Sequence, residues 1–141
     1  MAVGRVAVTV ALDTSALLAV AVDRAQRAVV LDALAGDPVW SASALALTEA
    51  LPAIDRLTDE VVLRLDLEDA IRLAWDHVHV VPVDQRCLDR AALLAREQPV
   101  RLTSAIHLAA AERMPPPVRF VTFDPAQLGV ALGLGLDVVS A

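Results

Sequence analysis

Short valine-rich runs alternate with longer alanine- and leucine-rich stretches along this chain, and that alternation restricts its fold more than any other feature. Val6–Leu12, Pro38–Ser43, His77–Val83, Val118–Phe123 and Leu136–Val139 read as strands. Helical stretches fall between them. The first starts at Thr14 or Ser15, whose hydroxyls suit an N-cap, and the second covers Ala25–Ala35 and stops at Gly36. A third covers Ala44–Leu57, with Pro52 as a break or kink, and a fourth runs from a Thr58 cap to Trp75, with Asp59 and Glu60 in its first turn. Asp84 caps a fifth to Glu97, Thr103 or Ser104 caps a sixth ended by "MPPP", and Pro125–Leu132 is the last. Strands apolar on both faces and separated by helices define an α/β fold, a central, mainly parallel sheet with helices on both faces. A chain of 141 residues suits one domain spanning 1–141, with a single sizeable core.

Composition narrows the function classes. At 57% apolar the chain is far from disorder, and with only 3% aromatic residues Ala, Val and Leu must fill the core, Trp40 and Trp75 included among the packed positions. All twelve basic residues are Arg, and the net charge of −6 argues against nucleic-acid binding through a broad basic face, leaving room only for a local Arg cluster. The single Cys87 forms no internal disulfide and reads as a buried structural thiol in a reducing compartment. Arg5 and the apolar run after it imitate a signal peptide, yet Asp13 lies mid-run, where a charge costs about 3 kcal/mol on membrane-insertion scales. The expectation is a cytoplasmic chain with no membrane segment.

That same Asp13 is the first chemical clue. It interrupts "ALDTSALLAV", and a carboxylate inside an apolar run is costly unless something binds it. In parallel α/β sheets ligands sit beyond the carboxyl ends of the strands. Asp13 ends the first strand and Asp124 ends "RFVTFD"; Glu49 lies on the helix after the second strand, inside the apolar "ALALTEAL". Each Asp alone can be read as a helix cap, and Glu49 as part of a solvated face. Brought together, the three would raise one another's pKa unless a cation lay between them, and hard oxygen ligands suit Mg²⁺ or Mn²⁺. Such ions activate water in phosphoryl chemistry. His77 and His79 share a strand face without a third ligand, and His107 reads as a packed or helix-surface histidine.

Four blocks, "VALDTSALL", "SASALALTEAL", "VRLTSAIHLAAA" and "RFVTFDPAQLGVALGLGLDVV", resemble in order and spacing the PIN-domain ribonucleases, specifically VapC-like toxins of bacterial toxin–antitoxin pairs. The resemblance implies Mg²⁺- or Mn²⁺-dependent cleavage of an RNA substrate, an antitoxin protein as partner and a homodimer. It places Asp13, Glu49 and Asp124 at three acidic metal-site positions, with Thr14 and Thr122 orienting the site and Arg101 near the RNA path. The fourth acid is expected directly before "AIHLA", and this chain has Ser104 there. The alternative is therefore a degenerate PIN domain, weakly active or inactive, acting through protein binding. Phosphoacceptor domains of similar architecture depend on a Lys, of which the chain has none, and the "LDTSALL" turn lacks the glycines of a dinucleotide site. The Ala- and Leu-rich helices between Ser43 and Trp75 offer an apolar surface for a second copy or an antitoxin helix.

Overall fold

The computed structural model describes residues 8–22, 24–36 and 38–140. Five strands, β1 (Thr9–Leu12), β2 (Val39–Ser43), β3 (Val78–Val81), β4 (Val118–Val121) and β5 (Asp137–Val139), form one all-parallel sheet in the order β3-β2-β1-β4-β5. Seven helices connect them: α1 (Thr14–Ala19), α2 (Arg24–Leu34), α3 (Leu45–Leu57), α4 (Val61–Trp75), α5 (Gln85–Glu97), α6 (Leu102–Glu112) and α7 (Pro125–Gly133). Residues 6 and 7 of the first predicted strand lie outside the described residues.

Helices cover both faces, as the strand pattern requires. Val10 and Leu12 of β1 face α1 to α4, packing with Leu17, Val30, Ile54 and Ile71. Ala11 faces α5 to α7 with Leu94, Leu108, Val130 and Phe120 of β4. Phe120 is the largest fully buried side chain. Small residues do the rest: α6 is buried continuously from Ser104 to Ala111, and its alanines let it sit close to the sheet. Trp40 and Trp75 are half-buried against the first cluster.

Several helix starts differ from the sequence expectation. Asp13, and neither Thr14 nor Ser15, caps α1, its carboxylate accepting the Ala16 N–H at 2.9 Å. Thr58 is extended and ends α3; its hydroxyl accepts the Glu60 N–H at 3.1 Å, so α4 starts at Val61 with Asp59 and Glu60 ahead of its first turn. The residue before α6 is Arg101, which places Thr103 and Ser104 inside the first turn rather than at the cap. Pro52 does not break α3. A mid-helix proline costs about 3 kcal/mol, and burial of Ala46, Ala50 and Ile54 on both sides of it holds the helix together. Asp84 caps α5 through the Cys87 N–H at 2.9 Å, and Gly36 at φ 83° follows α2, both as expected. Strand β3 starts one residue later than predicted, where the His77 N–H closes the end of α4 onto Ala74, and it ends at Val81, ahead of Pro82. The His77 ring packs on Trp40 at 5.2 Å while His79 is exposed on the edge strand, so the two do not form a ligand pair.

The topology fixes where a site can be. After β1 the chain moves toward β2, and after β4 it moves toward β5, although β1 and β4 are neighbours with Leu12 paired to Val121. Their carboxyl ends thus flank the point where the sheet reverses direction, which is where parallel α/β sheets open a crevice.

Candidate active site

Asp13 leaves β1 at that crevice and is 1% exposed. Four protein donors hold it. Ser15 Oγ at 2.7 Å and the Ala16 N–H at 2.9 Å reach Oδ1; Thr122 Oγ1 at 2.7 Å and Gln127 Nε2 at 3.1 Å reach Oδ2. Thr122 follows β4 directly, and its hydroxyl also accepts the Asp124 N–H at 3.1 Å, so one side chain ties the ends of both strands. Ser15 does the same from the other side, accepting the Phe123 N–H at 2.9 Å.

Asp124 caps α7 through the Ala126 N–H at 3.0 Å, and its Oδ2 lies 3.3 Å from Gln127 Nε2. One amide nitrogen therefore touches the carboxylates of both strand ends. The helix-cap reading of each Asp holds as local structure and does not compete with their convergence.

Glu49 stands across the crevice on α3. Its Oε1 accepts from Thr14 Oγ1 at 2.6 Å and from His107 Nε2 at 2.7 Å, and Thr14 Oγ1 lies 3.0 Å from the same nitrogen. A carboxylate oxygen only accepts, so the His107 proton sits on Nε2. Its Nδ1 is buried without a partner. The His107 hydrogen bond is the main cause that holds the Glu49 carboxyl below its ordinary value of 4.5, against the opposing pull of burial; Thr14 and the charge of Arg101 add to it. A group depressed in the folded state stabilises above its unfolded pKa and loses that contribution as pH falls through the folded value. Wild type should hence be more stable than Glu49→Gln near neutrality, and the difference should shrink below about pH 4.5. Melting temperatures of both proteins between acid and neutral pH measure it.

Thr14, Glu49, Arg101, Ser104, Asp124 and Gln127 line a cavity of about 190 Å³, completed by Ser15, Thr103 and His107. Ser104 is 4% exposed on the first turn of α6, and Arg101 is exposed at the rim. The three acids occupy two places: Asp13 and Asp124 meet at Gln127, while Glu49 is held by Thr14 and His107. Among the described residues, no three His, Cys, Asp or Glu side chains gather closely enough to hold a metal by themselves.

Two participants escaped the sequence reading. His107 is a partner of Glu49 rather than a merely packed ring, and only its place three residues after Ser104, on the same helical face, could have signalled this. Gln127 carried no signal beyond following Asp124 by three positions in the first turn of α7.

The donor set is one of hard oxygens. Gln127 donates its Nε2 to both carboxylates while its Oε1 is buried with no partner, so the residue that joins Asp13 and Asp124 carries an unused hard oxygen. Mg²⁺ is typically bound by one or two carboxylates and keeps several waters. The residues present fit such an ion.

A model of the PIN domain family matches residues 10–131, and the chain belongs to that family. Its fold is shared with three solved assemblies at low sequence identity. A toxin–antitoxin complex from Klebsiella pneumoniae is 20% identical with a TM-score of 0.66, covering 95% of this chain and 96% of that one. VapBC2 from Rickettsia felis, bound to a DNA fragment from their promoter, is 11% identical with a TM-score of 0.67, covering 95% and 98%. VapBC-5 from Mycobacterium tuberculosis, a member of the VapBC family of toxin–antitoxin systems, is 21% identical with a TM-score of 0.58, covering 96% and 98%. No match is found among curated proteins.

Proposed function

We propose that the chain is a VapC-like toxin, a cytoplasmic endoribonuclease dependent on Mg²⁺ or Mn²⁺ and neutralised by a cognate antitoxin. The observation that carries this reading is the meeting of Asp13 and Asp124 at the reversal point of the sheet, with Glu49 across the same cavity. Asp13 and Asp124 would hold the ion, with Glu49 reaching it directly or through water. When bound, it supplies an activated water for attack on a phosphodiester.

The protein's own contribution is orientation. Thr122 and Ser15 fix the Asp13 carboxylate, so its geometry is set before any ligand arrives. Thr14 and His107 share one oxygen of Glu49 and hold the other end of the crevice. Arg101 stands at the rim as a cation for a backbone phosphate, compatible with a narrow RNA path on an acidic protein. An antitoxin or a second copy would find apolar surface on α3 and α4, where Leu57, Val61, Val62, Leu65 and Leu73 are all more than half exposed. No helix of the described residues is long and apolar enough to cross a membrane.

The second reading, a degenerate domain acting by protein binding, draws on two observations. Ser104 carries no charge, and the Asp13 carboxylate is already satisfied by four protein donors. Cleavage of a mixed structured RNA by purified protein in Mn²⁺ separates the two readings. The nuclease reading expects cleavage by wild type that falls by about 100-fold or more in Asp13→Asn, since even partners of metal ligands cost about 10–100-fold. Equal, metal-independent activity in both proteins, or silence in both, would count against it.

A further inference from the structure

A carboxylate is missing at Ser104, and among the described residues no three acids gather on their own, which leaves room for a neutral protein oxygen on the cation. Gln127 is placed for that role. It is 4% exposed, and its Nε2 bridges Asp13 Oδ2 at 3.1 Å and Asp124 Oδ2 at 3.3 Å, while its Oε1 is buried without a partner. Buried amides ordinarily satisfy both ends. This one satisfies only its nitrogen.

A primary amide is two ligands in one outline. Its NH₂ donates, its oxygen is a hard acceptor, and a half-turn about the last side-chain torsion exchanges them within nearly the same volume. Facing two carboxylates and no cation, only the nitrogen is tolerated, because an oxygen there would repel both. Facing a divalent cation held by those carboxylates, the preference inverts: N–H repels the ion and the carbonyl oxygen coordinates it.

We propose that Gln127 is an internal stand-in for the cation. Its NH₂ bridges Asp13 and Asp124 in the metal-free protein, and its Oε1 turns inward as a neutral oxygen ligand when Mg²⁺ or Mn²⁺ binds, compensating for the carboxylate that Ser104 lacks. The proposal rests on the metal-dependent reading above and adds to it a ligand and a metal-free resting state. It also accounts for how two strand-end carboxylates remain close without an ion. A purely structural Gln127 makes the opposite forecast. It would compete with the ion, and its removal would leave binding unchanged or tighten it.

The test uses the full chain and does not require activity. Mn²⁺ binding is followed by electron paramagnetic resonance for wild type, Gln127→Leu and Gln127→Glu, with circular dichroism checking that each is folded. Binding should weaken at least about tenfold in Gln127→Leu, the lower end for loss of a site partner, and should be retained or tightened in Gln127→Glu. Independently of any variant, the Gln127 side-chain amide signal in a ¹H–¹⁵N spectrum of wild type, assigned through its own Cβ and Cγ, should shift on Mg²⁺ titration and saturate with binding. Folded Gln127→Leu binding Mn²⁺ as well as wild type, or a Gln127 amide indifferent to saturating Mg²⁺, overturns the proposal while leaving the metal-dependent reading intact. Wild type that binds neither ion overturns both.

Discussion

Asp13→Ala should lower the melting temperature by roughly 10–20 °C, whatever it does to activity. Each buried donor left without its acceptor costs about 1–3 kcal/mol, so the loss of several at once costs roughly 3–5 kcal/mol, and for a domain of this size each kcal/mol moves the midpoint by roughly 3–4 °C. The loss has a specific origin. Ser15 and Thr122 hydroxyls and the Ala16 N–H would be left without their acceptor, and the Gln127 amide would keep only Asp124, in a place that is 1% exposed. The same network ties the end of β1 to the end of β4, so strand pairing at the reversal point should loosen as well. Asp13→Asn keeps one acceptor oxygen and should lose clearly less stability. Thermal melts of the three proteins check this ordering; an Asp13→Ala protein as stable as wild type would mean that the four donors find water instead. The comparison also governs the reading of nuclease assays. Inactivity of Asp13→Ala speaks to folding as much as to chemistry, whereas inactivity of a folded Asp13→Asn speaks to the site.

Ser104→Asp should have the second largest effect, with a sign that depends on metal. Without divalent ions the new carboxylate faces the cavity shared by Glu49 and Asp124, and like charges in one site raise each other's pKa at the expense of stability. With Mn²⁺ the same charge becomes a ligand. A tenfold gain in affinity adds about 1.4 kcal/mol at saturation. The variant should therefore melt below wild type in a chelator and gain more than wild type on adding Mn²⁺. Cleavage should rise in parallel. A variant whose midpoint ignores Mn²⁺ would show that residue 104 does not face the ion in this chain.

The parts of this molecule that were legible in its sequence follow from burial. A sheet covered on both faces writes itself as apolar runs, and the order of those runs with intervening helices specified the parallel architecture. Asp13 stood out because a carboxylate in such a run needs a reason. Helix starts were less legible, since a hydroxyl beside the right stretch says nothing about where it is committed: Thr14 is held by Glu49 and Thr58 by the turn ahead of α4. Gln127 and His107 were hidden for a related reason. Their partners lie 114 and 58 positions away, at Asp13 and Glu49, and no local pattern announces a contact of that range. Pro52 shows the converse, a strong local signal overridden because the helix around it is anchored by buried side chains on both sides.

The central claim, that Asp13 and Asp124 flank a divalent cation site, is tested most directly by anomalous diffraction from a crystal of the wild-type protein grown or soaked with Mn²⁺. A single strong anomalous peak is expected between these two carboxylates, within about 2.5 Å of an oxygen of each, beside the cavity lined by Glu49, Ser104 and Gln127. An empty crevice at saturating Mn²⁺, with Gln127 still donating to both carboxylates, would contradict it.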